Sequence, residues 1–414
     1  MGLFSKSGNK TAPEVVAIFD VGSGSIGAAL VTISRQELPN ILWSTRIPIT
    51  LQGDINFDQL TKTMLSTLLD VALELQSKGL PLLSRGSGPK HLSDVMFSFA
   101  SPWYSMQAKA FKIDKEESFA LTPQFIKNLI KREEREFYNL TQKNEEKKAE
   151  GEGKTAMTPV LIERSVIQTT LNGYIVSNPY DKNVKQAQVD LVLSAIPSYL
   201  YDKANEIRKQ LISRHSDGVF HSFILPAFSV TRDIFHGNKS FLFIDVSAEV
   251  TDIATVHKGT IIDATSFPYG KHFIIREVAG RFNTTSEEAV SMLSTYLVGD
   301  SSPEQAERLR NILRDAQDKW LSNFMNTMAN IAVEAPLPKN IYLTADDEYG
   351  HWFKEAITSG DYSDYALSKM PFRVTILGSE TLKNYITYNR LTAQLDPFLA
   401  LEAIFLQKAL YEEE

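Results

Sequence analysis

The sequence predicts an α/β protein of two similar halves, with a smaller α+β module inserted in the first. Two stretches carry that prediction. The first is VVAIFDVGSGSIGAALVTI from Val15 to Ile33, in which β-branched and aromatic residues flank a turn of Gly22, Ser23, Gly24 and Ser25. The second is FLFIDVSAEVTDIATV from Phe241 to Val256, which repeats the design: Asp245 aligns with Asp20, Val246 with Val21, and Ile253 to Val256 with the returning strand. A pattern written twice in one chain marks two related units whose turns face each other.

After the first hairpin, Ile41 to Ile49 reads as a further strand of the same sheet. Phe57, Leu60, Met64, Leu68, Val71 and Leu75 recur at helical spacing, and the Gly/Pro/Ser-rich stretch Gly79 to Lys90 marks a boundary. A buried strand then starts at Asp94 and runs into Ala100, Ser101 and Pro102 before a second extended segment. Thr122 and Pro123 supply an N-cap and a first-turn proline for a helix carrying Phe125, Ile126, Leu129, Ile130 and Phe137. The polar run TQKNEEKKAEGEGK from Thr141 to Lys154 predicts a mobile solvated loop, because it has few apolar groups to offset the entropy of ordering. Val160 to Leu171 and Val189 to Ile196 return as strands, with turns at Asn172 and Gly173 and at Asn178 and Pro179.

Ser198 caps a helix with Leu200, Ala204, Ile207 and Leu211 on one face, and Val219 to Leu225 leads by strand into a short helix ending near Phe235. In the second half the return strand continues through Gly259 to Ser266, and Gly270 begins a helix carrying Phe273, Ile274 and Val278. Thr285 and Glu288 have the spacing of a capping box. Ser302 and Pro303 open a long helix whose Leu309, Leu313, Ala316, Trp320, Phe324, Met328 and Ile331 form a core stripe. Ile341 to Thr344 and Phe372 to Leu377 read as strands, Tyr349 to Ile357 as a helix, and Asp396 and Pro397 start the last helix. The expected division is a first unit over 12–93 and 195–238, an inserted module over 94–194, and a second unit over 239–414 with a helical part at about 283–335.

Composition bounds the function. With 43% hydrophobic residues in 414, the chain can bury a large core. A net charge of −7 argues against a nucleic-acid groove, which needs clustered Lys and Arg to neutralise phosphates. The absence of cysteine removes disulfides and thiol chemistry and is compatible with a reducing cytoplasm; the seven histidines show no metal-ligand spacing. There is no run of eighteen apolar residues, and Met1 to Thr11 has too short an apolar portion for a signal peptide, so it reads as a polar, floppy N-terminus.

Glycines let phosphate oxygens approach a main chain closely, so the turn after Asp20 is a candidate phosphate cradle; an ordinary Gly/Ser hairpin is the alternative. Asp20 and Asp245, facing each other, suit a hydrated magnesium ion that bridges phosphates; turn-capping aspartates are the alternative. The two hairpins, their order and the module between them resemble the actin-like ATPase superfamily, with its ribonuclease H-like duplicated domains, and within it the bacterial FtsA and PilM family. Asp20, Gly22, Ser23 and Ser25 match a pattern resembling DxGSxS. Asp245, Thr251 and Asp252 match part of a pattern resembling DxGGGTTD, in which Ser247, Ala248 and Glu249 stand where glycines are expected. A third element resembling TGG keeps Thr344 but has Ala345 and Asp346 in its glycine positions, and an aspartate repels phosphate.

The resemblance implies ATP and magnesium as ligands. It places Asp20, Gly22, Ser23, Gly24, Ser25, Asp245, Ser247, Thr251, Lys271, Glu288 and Thr344 around the nucleotide, with the metal near Asp20 and Asp245. The altered second and third motifs predict weak binding and, at most, slow hydrolysis. No catalytic residue is assigned, because Leu193 to Ser198 offers only Ser194 and Ser198 where superfamily ATPases place a Gln, Glu or Asp. Glu288 also satisfies a helix start, and Lys271 meets either phosphate or solvent. The segment ASPWYSMQ from Ala100 to Gln107 resembles a small-residue turn at the same point of the family's inserted module. That module implies protein partners, with self-association a second possibility and membrane contact only through partners. The implied role is a cytoplasmic scaffold at the inner face of the membrane, in type IV pilus assembly ahead of cell division. An interaction-only scaffold without nucleotide and an FtsA-like division protein are the alternatives.

Overall fold

The computed structural model describes residues 13–49, 56–85, 89–152, 157–212, 218–333, 337–362 and 371–411. The N-terminal stretch Met1 to Thr11 lies outside the described residues. β1 (Glu14–Val21) and β2 (Ser25–Ile33) form the first hairpin, and β3 (Asn40–Pro48) continues it antiparallel. The run from Val15 to Val21 is buried throughout because both faces of β1 are covered. Val15, Ala17 and Phe19 face α1 (Phe57–Glu74), whose Leu60, Met64, Leu68 and Val71 form its buried stripe. α1 runs on into a wider turn over Leu75–Gly79, where Leu80 N donates to Leu75 O at 2.9 Å, and α2 (Pro81–Arg85) follows.

β4 (Asp94–Phe99) pairs parallel with β1. The stretch expected to be an inserted module follows, its four strands forming a sheet of their own: β5 (Ser105–Ala120), α3 (Pro123–Glu152), β6 (Pro159–Leu171), β7 (Tyr174–Ile175) and β8 (Asn183–Pro197). α4 (Ser198–Leu211), β9 (Val219–Ser222) and α5 (Ile224–Ile234) complete the first half of the chain. The second half comprises β10 (Phe241–Val246), β11 (Thr251–His257), β12 (Thr260–Phe267), α6 (Lys271–Phe282), α7 (Ser286–Leu297) and α8 (Pro303–Ala332). It ends with β13 (Asn340–Thr344), α9 (Asp347–Ser359), β14 (Arg373–Ile376), α10 (Ser379–Leu382), β15 (Thr387–Tyr388) and α11 (Pro397–Tyr411).

Three sheets result, ordered β15-β3-β2-β1-β4-β9, β12-β11-β10-β13-β14 and β5-β8-β6-β7. The two larger ones repeat one plan. Each has an antiparallel hairpin with a parallel strand beside its first member, and the aspartates hold matching registers: Asp20 opposite Ser98, Asp245 opposite Thr344. The protein is thus mixed α/β, as the duplicated pattern predicts.

Several expectations are corrected. The polar run from Thr141 is no loop: α3 continues helically to Glu152, and only 153–156 fall outside the described residues. Its Gln, Glu, Lys and Ala residues are strong helix formers, and Gln142 donates to Glu146 one turn on at 3.1 Å. Ser198 is the first helical residue, with Pro197 in the cap position. β15 and α10 were not anticipated, being too short to show a period.

The module is joined to both halves. β12 packs against β5, β6 and β8. On the other side a buried polar cluster links β6 and β8 to β9: Glu163 Oε2 accepts from Ser222 Oγ at 2.6 Å and from Ser194 Oγ, while its Oε1 lies 2.8 Å from His221 Nδ1. His221 stands edge-on to Phe405 of α11, with ring centroids 5.1 Å apart.

Candidate functional site

The ends of β1 and β10 meet turn to turn. Ser23 Oγ lies 3.2 Å from Ser247 Oγ and accepts the Glu249 N–H at 3.2 Å. Gly24 is needed here, since a Cβ on it would stand 2.3 Å from Ala248 Cβ. Gly270 is needed in the same way, because its Cβ would meet Ser247 O at 2.2 Å. Close approach lets the N-terminus of α6 serve the second turn: Lys271 N donates to Ser247 O at 3.0 Å and His272 N to Ala248 O at 2.8 Å. Trp103 Nε1 fixes the first turn by donating to Gly22 O at 2.9 Å.

Asp20 is buried at the end of β1, and its partner comes from β3. Arg46 sits opposite Gly27, and its Nη2 donates to Asp20 Oδ2 at 2.7 Å. The same guanidinium donates to Ser25 Oγ at 3.0 Å, to Asp396 Oδ1 at 3.0 Å and, through Nε, to Asp396 Oδ2. Asp396 meanwhile caps α11, accepting from Phe398 N at 3.0 Å and Leu399 N at 3.1 Å. Burial pushes the Asp20 carboxyl up to about 6, with Arg46 pulling against it.

Asp245 has a different environment. Its Oδ1 accepts from Thr344 Oγ1 at 2.6 Å, and burial raises it well above the usual carboxylate range. Asp252, opposite Asp245 on the returning strand, accepts from Ser101 Oγ at 2.7 Å and from Tyr104 OH at 3.2 Å, and burial lifts it to about 6. Those two donors belong to the ASPWYSMQ turn, so this segment ties the entry of the module to the second half.

Above the turns opens a cleft of about 1280 Å³ lined by both halves, among them Gly24, Arg46, Glu249, Lys271, Asp346 and Tyr349. Two of its acids are paired with cations. Lys271 bonds to Asp346, which it holds below the usual carboxylate range against the upward push of burial. Glu249 lies 2.8 Å from His272 Nδ1 and accepts from Arg276 Nη1 at 3.0 Å.

The residues named from sequence divide by position. Gly24, Ser25 and Lys271 line the cleft, Ser23 and Ser247 touch, and Asp20, Asp245 and Thr344 lie buried beneath. Thr251 turns into the core, donating to Tyr269 O at 2.6 Å. Glu288 closes the capping box with Thr285, and its neighbour Glu287 lines the cleft instead. Arg46, Asp396, Ser101 and Tyr104 were missed as site residues. The available signal was Gly27, which leaves space for a large side chain across the hairpin.

Magnesium between Asp20 and Asp245 does not fit this arrangement. Asp20 has the Arg46 guanidinium on its carboxylate, Asp245 is engaged by Thr344, and among the described residues no three His, Asp or Glu are grouped to hold a metal. Nor do the turns leave a phosphate-sized gap where Ser23 meets Ser247. The cleft above them, at about 1280 Å³, is roomy enough to take a small molecule.

No protein-family model and no curated protein matches the sequence. Solved structures do. Two halves of repeated hairpin-plus-parallel-strand plan, closing on a cleft, are the fold of the actin-like ATPases. The fold is PilM-like: the chain is similar to the PilM–PilN type IV pilus biogenesis complex at a TM-score of 0.57 and 11% identity, over 98% of this chain and 100% of that one. Further neighbours are a Bacteroides thetaiotaomicron protein with an actin-like ATPase fold and unknown function (TM-score 0.40, 9% identity, 95% and 96% covered) and the ethanolamine utilization protein EutJ from Carboxydothermus hydrogenoformans (TM-score 0.42, 10% identity, 98% and 92% covered).

Proposed function

We propose that the chain is an actin-like scaffold of the PilM kind, acting in the cytoplasm at the inner face of the membrane through protein partners, in type IV pilus assembly ahead of cell division. The observation that carries this reading is the end-to-end likeness to a pilus biogenesis complex, which spans the inserted module as well as both halves. No helix among the described residues is long and apolar enough to cross a membrane, so in this reading partners supply the attachment. The module offers an exposed apolar edge for them at Tyr174 and Ile175 of β7.

In this reading the cleft is structural. Asp20, Asp346 and Glu249 face cations of the chain itself, and the turns are bonded to one another. A second reading, weak ATP binding with little hydrolysis, is favoured by the size of the cleft and by Lys271 and Arg276 on its wall.

The test has two arms. The full chain is assayed for binding to the membrane proteins encoded beside its gene, with Ile175→Lys as the variant; binding weakened by the variant supports the scaffold, and no binding to any of them ends the pilus reading. Thermal shift with millimolar ATP, with and without magnesium, separates the two cleft readings. Ligand at a hundred times its Kd stabilises by about 2.7 kcal/mol, which is readily seen.

A further inference from the structure

We infer that Arg46 is a resident cation: its guanidinium holds the place a divalent metal would take at the end of the first hairpin, so that Asp20 binds no magnesium or manganese in this protein. The inference deepens the reading of the cleft given above and rests on it for the fold alone; its readout, a metal titration, is separate from partner binding.

The surroundings of Arg46 are shaped to it on every side. Asp20 and Asp396 flank the guanidinium and Ser25 accepts from its remaining arm. Gly27 makes the room, since a Cβ there would stand 2.7 Å from Nη2. The ring of Phe398 closes the other side, 5.2 Å from Cζ, an arrangement that favours a weakly hydrated planar cation. A fork of fixed donors satisfies two carboxylates at once, whereas a lysine would serve them as a single point charge.

Charge balance points the same way. Arg46 is the positive charge set between Asp20 and Asp396, and those two acids hold its proton more firmly than usual even though burial opposes it. A third acid, Glu402 of α11, is fully buried nearby, and burial together with the neighbouring Asp20 raises its carboxyl well above the usual carboxylate range. On the opposite side Asp245 is buried and its Oδ1 is already engaged by Thr344 Oγ1 at 2.6 Å, while burial raises its carboxyl well above the usual range. A hydrated magnesium ion keeps most of its water and needs an ionised, accessible carboxylate. Asp20 is buried and already has a cation on it, and a second cation at that distance would be repelled.

The experiment titrates millimolar Mn²⁺ into the full chain and follows the free ion by electron paramagnetic resonance. Wild type is expected to leave the free signal unchanged. Arg46→Gln, which strips the cation from Asp20 and Asp396, is expected to take up a single Mn²⁺, and Asp20→Asn in that background to lose it. Saturable uptake by wild type that disappears in the single variant Asp20→Asn overturns the inference, and this arm does not depend on how Arg46→Gln folds. A folded Arg46→Gln protein, checked by circular dichroism, that takes up no more Mn²⁺ than wild type overturns it as well.

Discussion

Ser23 and Ser247 belong to turns 224 residues apart, yet their hydroxyls stand 3.2 Å from each other. Each comes from the tip of a hairpin whose strands are buried in a different sheet, so this contact joins the two repeated units at their matching points. The contact is tight enough to be tested by a single methyl group.

Gly24→Ala places that methyl 2.3 Å from Ala248 Cβ. Overpacking of this kind costs about 1–3 kcal/mol. The expected outcome is a lower denaturation midpoint that Ala248→Gly in the same chain largely restores, a coupling expected only of residues in contact. A neutral Gly24→Ala would show that the turns part in solution.

Asp252 gives the protein a pH dependence of definite sign. Its carboxyl titrates at about 6 when folded against a model value of 3.8. Between those values the folded chain keeps a proton that the unfolded chain releases, so this group's contribution is fully present at acid pH and is lost as pH rises through about 6. The span is about 3 kcal/mol at most, from roughly two pKa units at 1.36 kcal/mol each. The stability difference between wild type and Asp252→Asn, measured by urea unfolding from about pH 4 to about pH 7, should shrink over that window and then level off.

Asn144 lies in the charged run that forms the outer part of α3, with its side chain exposed. Proline inside a helix removes a hydrogen bond and clashes with the preceding turn, at about 3 kcal/mol. Asn144→Pro should therefore reduce the helical circular dichroism signal and speed amide exchange across 141–152. An unchanged spectrum would restore the loop expected from composition.

Glu163 accepts three buried donors at the seam between module and first sheet. Glu163→Ala leaves the Ser194 and Ser222 hydroxyls and the His221 ring without that acceptor, and each stranded group costs about 1–3 kcal/mol. We expect a large fall in the urea midpoint, with Glu163→Gln milder because its amide oxygen still accepts. Equal effects of the two variants would mean that volume, not hydrogen bonding, is what the seam requires.

The frame of the fold was legible because it is written locally. Val15 to Ile33 and Phe241 to Val256 declare their strands by continuous apolar runs, and Thr285 and Glu288 declare their cap by spacing. The candidate site was legible by half. Asp20 and the small residues after it stand out as a turn, but what fills the place beside Asp20 depends on Arg46 and on Asp396, whose bond joins positions 350 residues apart. No local pattern carries such a pairing. The stretch from Thr141 failed for another reason: Glu, Lys and Gln suit an exposed helix and a solvated loop equally, and composition alone does not choose between them.

The way the last residues return to the first sheet has a consequence for synthesis. β15 pairs with β3 through Thr387 and Asn40, and α11 lays Leu399, Leu401 and Ala403 into the cluster that holds Val16, Ile18 and Val31 of the first hairpin. These contacts form only once α11 has been synthesised and has left the ribosome. Until then one face of the earliest strands stays uncovered, a state prone to sticking to other nascent chains. The first hairpin therefore waits for α11 to cover it, and a chain cut short before Pro397 should be insoluble however well β10 to β14 fold.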